Sequence, residues 1–290
     1  MLLNKKISIS YFLNQIKYQI LGVTVFAVAF GFIDQLPVIR NINIPISIPA
    51  LLGTAISLLL AFRTSQSYER WWEARIIWGA IVNDSRTITR LSLQFFNKEQ
   101  AEKLAYRQII WVYALSESLR KLPFSSIVEN YIKEHGVRAT NIPNALLDGH
   151  SDQIKNTLKN NEISDFAQLQ LNEVTARLCD SMGKCERIKN TIFPRSYSVL
   201  LHTLIYIFAA ILPFGLDDEQ LSVEILITIL IPSIFIAIEK TAIIMQDPFE
   251  NLPADTPMTK ICQTIETNIS DMAGINKISN FKQSETYYQM

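Results

Sequence analysis

The chain has 290 residues, with 27 basic and 27 acidic side chains and a formal net charge of zero. That balance excludes a general nucleic-acid binder, which needs a basic surface to release counterions. With hydrophobic residues at 49% and only 3 Cys, a disordered chain and a disulfide scaffold are excluded as well.

Four stretches are almost free of charge. Tyr18 to Ile33 has none, and its apolar character extends to Leu36 with only Asp34 intervening. Asn41 to Phe62 is the second. Ser196 to Leu216 is the third, with His202 its only titratable member. Leu221 to Ile238 is the fourth, broken only by Glu224. Each approaches the roughly 20 residues needed to cross a hydrocarbon core about 30 Å thick. Four membrane helices are therefore expected. The first run lacks a small-x-small cleavage site and leads into Asp34-Gln35-Leu36-Pro37, so it reads as a membrane helix and not as a signal peptide.

The flanking charges set an orientation. Lys5, Lys6 and Lys17 precede the first run; Arg63, Arg70, Arg75, Arg86 and Arg90 follow the second. Arg187, Lys189 and Arg195 precede the third, and Lys240 follows the fourth. The connection between the first two runs holds Asp34 and one base, Arg40, and that between the last two is Asp217-Asp218-Glu219. Positive charge favours the cytoplasmic side, which puts both termini and the middle of the chain inside. The expected organisation is a cytoplasmic segment 1–17, membrane helices within 18–62, a cytoplasmic helical domain 63–195, membrane helices within 196–240, and a cytoplasmic segment and tail 241–290. Cys179, Cys185 and Cys262 all fall on the inner side, where reduced thiols are expected, and their spacing matches no zinc knuckle.

In the middle domain, Tyr68 to Phe95 reads as a helix, with Trp71, Ala74, Trp78, Ile81 and Ser85 recurring at intervals of three and four. Leu104, Trp111, Leu115 and Leu119 repeat the pattern. Asn141-Ile142-Pro143-Asn144 and Asp148-Gly149-His150 read as breaks between helices. Asp165, with Gln168 three residues on, reads as the N-cap of a helix running to about Ile188. The tail from about Ser279 is polar. No β-hairpin signal occurs, so the fold class expected is all-α.

Catalytic motifs are missing. His135, His150 and His202 stand apart, with no HExxH pairing, no Gly-rich phosphate loop and no G-x-S-x-G elbow. No enzyme activity, catalytic residue, metal or cofactor is expected. His202 reads as a hydrogen-bonded packing residue. The spans carry few ionisable groups, which argues against a proton relay, and no inverted repeat is visible. A secondary transporter of a small solute remains the alternative to a channel, and a membrane-anchored scaffold is a third reading.

Four helices from one chain do not readily enclose a water-filled path, so conduction implies a symmetric ring of subunits. In the second run, Thr54, Leu58 and Phe62 are spaced by four and share one face over roughly 12 Å of helix. Such a face can form a hydrophobic constriction in a pore or pack on a neighbouring helix. Periodicity does not separate the two.

The residues Leu51-Leu52-Gly53-Thr54-Ala55 through Phe62-Arg63, then Ser67-Tyr68-Glu69-Arg70-Trp71-Trp72-Glu73-Ala74-Arg75, Trp78-Gly79 and Val82-Asn83-Asp84-Ser85-Arg86, resemble the bacterial branch of the bestrophins. The resemblance continues in Cys185-Glu186-Arg187, Leu212-Pro213-Phe214, Asp247-Pro248-Phe249, Asp255 and Cys262-x-Thr264-Ile265-Glu266, and covers about residues 10 to 275. It implies a homopentameric ion channel in a bacterial inner membrane, with four membrane helices per subunit around one central pore. Its partners would be further copies of itself, the lipid bilayer and small inorganic ions, with no nucleic acid.

The resemblance also places a hydrophobic neck on Thr54, Leu58 and Phe62, the threonine being a departure from the family pattern. A cytoplasmic restriction falls on Phe166. Animal bestrophins carry an acidic calcium clasp after the fourth membrane helix. Here the region has only Asp247, Glu250 and Asp255, too sparse for a tight oxygen cage, so no calcium activation of that type is expected. Chloride is the family default, yet cation permeation stays open. Asp217, Asp218 and Glu219 are either an outer vestibule that attracts cations or a solvated turn.

Overall fold

No helix breaker separates the second uncharged run from the amphipathic segment after it. In a computed structural model of the protein the two form a single helix of 49 residues, Ser47–Phe95. Pro49 lies in its first turn, where a missing N–H costs no hydrogen bond. The structure describes residues 2–3, 9–34, 44–191, 193–216, 221–278 and 288–289. In chain order the helices are α1 (Ile9–Asp34), α2 (Ser47–Phe95), α3 (Lys98–Leu119), α4 (Ser126–Glu134), α5 (Ile142–Lys159), α6 (Asp165–Asn190), α7 (Arg195–Ile211), α8 (Leu221–Gln246) and α9 (Met258–Ala273). A short 3-10 turn, Pro213–Gly215, follows α7. The β structure among the described residues is one two-residue antiparallel pairing, Leu2–Leu3 with Tyr288–Gln289. The fold is all-helical, as the sequence implies.

The chain divides into two compact units. One comprises residues 6–70 and 192–246, the other residues 1–5, 71–191 and 247–290. In the first, α1 packs against α8 and α7, and α7 packs against α8. Its core is Ile16, Val23, Ile56, Leu60, Leu201, Ile205, Phe208 and Ile236 with their neighbours. Gly53 lets the Phe208 ring come close: a Cβ there would stand 3.2 Å from a ring carbon. Among the described residues two helices are by themselves long and apolar enough to cross a membrane, Ser47–Phe95 and Ser222–Gln246.

In the second unit, α3 packs against α9, α5, α4 and α6, and α5 against α6. Trp78, Ile81, Leu104, Trp111 and Leu115 are buried here, as their helical spacing implies, together with Ile88, Cys262 and Ile265. Two local expectations are corrected. Asp148-Gly149-His150 is no break but lies inside α5, because Asn141 caps that helix and accepts from the Asn144 N–H at 3.0 Å. The N-cap of α6 is Ser164, which accepts from the Ala167 N–H at 3.3 Å, so Asp165 is the first helical residue and Phe166 the second.

Candidate pore-lining face and the buried charges behind it

Along the first half of α2 the two sides of the helix are treated in opposite ways. Ile56, Leu60 and Arg63 are buried in the unit formed by 6–70 and 192–246. Thr54, Leu58 and Phe62 lie on the other side and are exposed, Leu58 at 59% and Phe62 at 61%. On a membrane-length helix such an uncovered apolar stripe is suited to lipid, to a neighbouring subunit or to a pore. The Thr54 hydroxyl donates to the Ala50 carbonyl at 2.9 Å, so its proton is engaged within the helix.

Behind the stripe sits a charged cluster. The Arg63 guanidinium, 2% exposed, donates from Nη1 to Ser198 Oγ at 2.7 Å and to Glu239 Oε1 at 3.4 Å, and from Nη2 to Gln246 Oε1 at 3.5 Å. It also lies 4.9 Å from the Phe193 ring centroid. The second Glu239 oxygen is 2.9 Å from His202 Nε2. Arg63, which follows the second uncharged run, is thus turned inward and ion-paired, and His202 is paired with a carboxylate. Arg70 Nε completes this end of the unit by donating to the Gln246 carbonyl at 2.8 Å. Sequence reasoning missed the cluster because its members are 176 residues apart. The available signal was Glu239, an acid at the end of an apolar run.

Phe166, in the other unit, is 79% exposed at the start of α6. Asp217, Asp218 and Glu219 lie outside the described residues. Near the end of α6, Lys189 Nζ donates to Glu250 Oε1 at 2.6 Å and Asp247 Oδ2 at 3.2 Å, its side chain largely buried. Burial works against its charge, yet the bonds to the two carboxylates outweigh it and hold its pKa above the ordinary lysine value. Asp255, buried in the same loop, accepts from the Leu252 N–H at 3.0 Å, and burial pushes its carboxyl up to about 6. Among the described residues no group of three or more His, Cys, Asp or Glu is arranged to hold a metal ion.

His150 is fully buried within α5. Its Nε2 is 2.8 Å from Gln108 Oε1 and its Nδ1 is 3.4 Å from Arg107 Nη1. Burial and the adjacent guanidinium push its pKa down to about 3, so it stays neutral at physiological pH. His135 stacks on Tyr131 with centroids 3.9 Å apart. Cys185 and Cys262 are free thiols, each pushed up to about 12 chiefly by burial, while Cys179 is exposed.

A family model described as Bacterial/Fungal Bestrophin protein matches residues 6–271. The voltage-dependent anion channel-forming protein YneE of Escherichia coli strain K12 is 28% identical over 96% of this chain and 93% of its own. The voltage-dependent anion channel-forming protein alr2987 of a Nostoc species is 28% identical over 90% of this chain and 92% of its own. The crystal structure of a bacterial bestrophin homolog from Klebsiella pneumoniae superposes with a TM-score of 0.81 at 25% identity, covering 90% of this chain and 99% of that chain. With the match spanning nearly the whole length, the chain belongs to the bacterial and fungal bestrophin family.

Proposed function

We propose that the protein is a passive channel for small monovalent ions, chloride-type anions foremost, assembled as a homopentamer around a central pore. Each subunit crosses a bacterial inner membrane four times, through α1, the first half of α2, α7 and α8, with both termini cytoplasmic. What carries the activity is the full-length similarity to relatives named voltage-dependent anion channel-forming proteins. It also makes an enzyme activity unnecessary to account for the chain.

The exposed stripe Thr54, Leu58 and Phe62 supports a neck on α2. Five copies of a bulky apolar side chain would narrow the axis and admit ions only at a dehydration cost. Phe166, still more exposed, supports a second restriction on the cytoplasmic side.

The test is conductance of the purified protein in planar bilayers under asymmetric salt. Discrete current steps that need no coupling ion and reverse toward the chloride equilibrium potential are expected. Phe62→Ala and Leu58→Ala should raise the conductance severalfold, since dewetting weakens as the constriction widens. Phe166→Ala should change rectification or selectivity. Saturable flux that requires a counter-ion would replace the channel with a secondary transporter, and absence of any flux would leave a scaffold.

A further inference from the structure

The exposed side of α2 continues beyond Phe62, and its next charged group is not the one the chain order suggests. Between Gly53 and Glu69 only Arg63 and Glu69 are formally charged. Arg63 adjoins Phe62 in sequence, yet it points into the core and is matched by Glu239. Its positive charge is withdrawn from the free face.

Ser65, Gln66 and Tyr68, the next exposed residues, are neutral. Glu69 is exposed on the same helix and receives a 3.5 Å hydrogen bond from Ser65 Oγ; no Lys or Arg forms an ion pair with it among the described residues. It follows Phe62 by seven residues, close to two full turns, so it shares the stripe about 10 Å farther along the axis.

We propose that Glu69 is a selectivity-determining residue of the pore, five copies forming a ring of carboxylates at the cytoplasmic mouth of the neck that holds back the channel's preference for anions. This rests on the channel reading above. An uncharged neck cannot discriminate by charge, so the field at its mouth decides which ion is concentrated there. Five carboxylates at roughly a Debye length from a permeating ion shift its local occupancy by about threefold at physiological salt.

The experiment measures chloride-to-potassium permeability ratios from reversal potentials of the full-length protein in planar bilayers. Because the field acts oppositely on the two ions, Glu69→Gln should raise the ratio by about tenfold, and Glu69→Lys should raise it further. To change the charge after folding, Glu69→Cys in a Cys179→Ser background is opened in the bilayer and then treated with charged methanethiosulfonates. The sulfonate reagent should return the ratio toward wild type, and the trimethylammonium reagent should drive it up. A wild type that never conducts overturns the channel reading and this proposal together. A conducting wild type whose ratio is unmoved by both substitutions and both reagents overturns the role of Glu69 alone.

Discussion

Arg63 and Arg107 are both buried, at 2% and 6% exposure, and the two units accommodate them by different means. Arg63, among membrane-length helices, meets the carboxylate of Glu239. Arg107, on α3, has neutral partners: its Nε donates to Tyr131 Oη at 3.0 Å, and its Nη1 donates to the Gly149 carbonyl at 2.7 Å and Gln153 Oε1 at 3.0 Å. The carbonyl is reachable because residue 149 has no side chain; a Cβ there would stand 3.2 Å from Arg107 Nε. In the first unit the guanidinium is matched by a carboxylate. Where a glycine bares a carbonyl, peptide dipoles suffice. The first solution ties stability to a charge pair, the second to close packing and a neutral histidine.

The largest effect expected is at the charge pair. Glu239→Gln leaves Arg63 without its counter-charge and should cost about 3–5 kcal/mol in thermal unfolding of the detergent-solubilised protein. Replacing Arg63 and Glu239 together by methionine should recover most of that loss. An unchanged melting temperature for the single variant would show that Ser198 and Gln246 suffice, and the contrast between the units would collapse.

The next concerns His150. Its pKa is lowered to about 3 in the folded protein, so the unfolded chain binds more protons between there and about 6.5. Stability from this group is therefore complete above about 6.5 and falls with decreasing pH, by about 2 kcal/mol at pH 5. His150→Gln should flatten that slope in melting curves taken from pH 7 to 5. Parallel curves for the two proteins would mean that the imidazole is not held neutral by Arg107 and burial.

Asp255, in the same unit, bends the profile the other way and by less. Its carboxyl is raised to about 6, so protonation favours the fold. Its contribution is full below about 4 and lost as pH rises through about 6, amounting to about 1 kcal/mol at pH 5. In Asp255→Asn the acid-side loss caused by His150 should steepen. A double variant with His150→Gln should be nearly flat in this window, and a persistent slope would point to other groups.

The runs without charge and the helical periodicities were legible because each is local: Trp78, Ile81, Leu104 and Trp111 are buried as their spacing requires. Phe62 and Leu58 were legible as one face, and the fold adds that this face is uncovered. The direction of Arg63 was not legible, because a base after an apolar run has the same signature whether it snorkels to a membrane surface or turns inward. Only Glu239, on a distant helix, decides between them. The Asp148-Gly149-His150 segment was misread as a break for a related reason. Glycine in a helix costs about 1 kcal/mol locally, and the contact that offsets it belongs to α3. Glu69 carries no signal of its own in the sequence, since its meaning depends on which way Arg63 points.

Lys189, seated between Asp247 and Glu250, carries one further consequence. A dissociable ion holding two carboxylates leaves when its free concentration falls, which turns such a loop into a concentration sensor. An ammonium fixed to the backbone has no dissociation constant toward bulk solution. Its local concentration is constant, set by the chain itself, and its pKa is raised so that it stays charged through the physiological range. The end of α6 and the loop after α8 are held by a counter-ion that cannot be titrated away by changes in ionic composition.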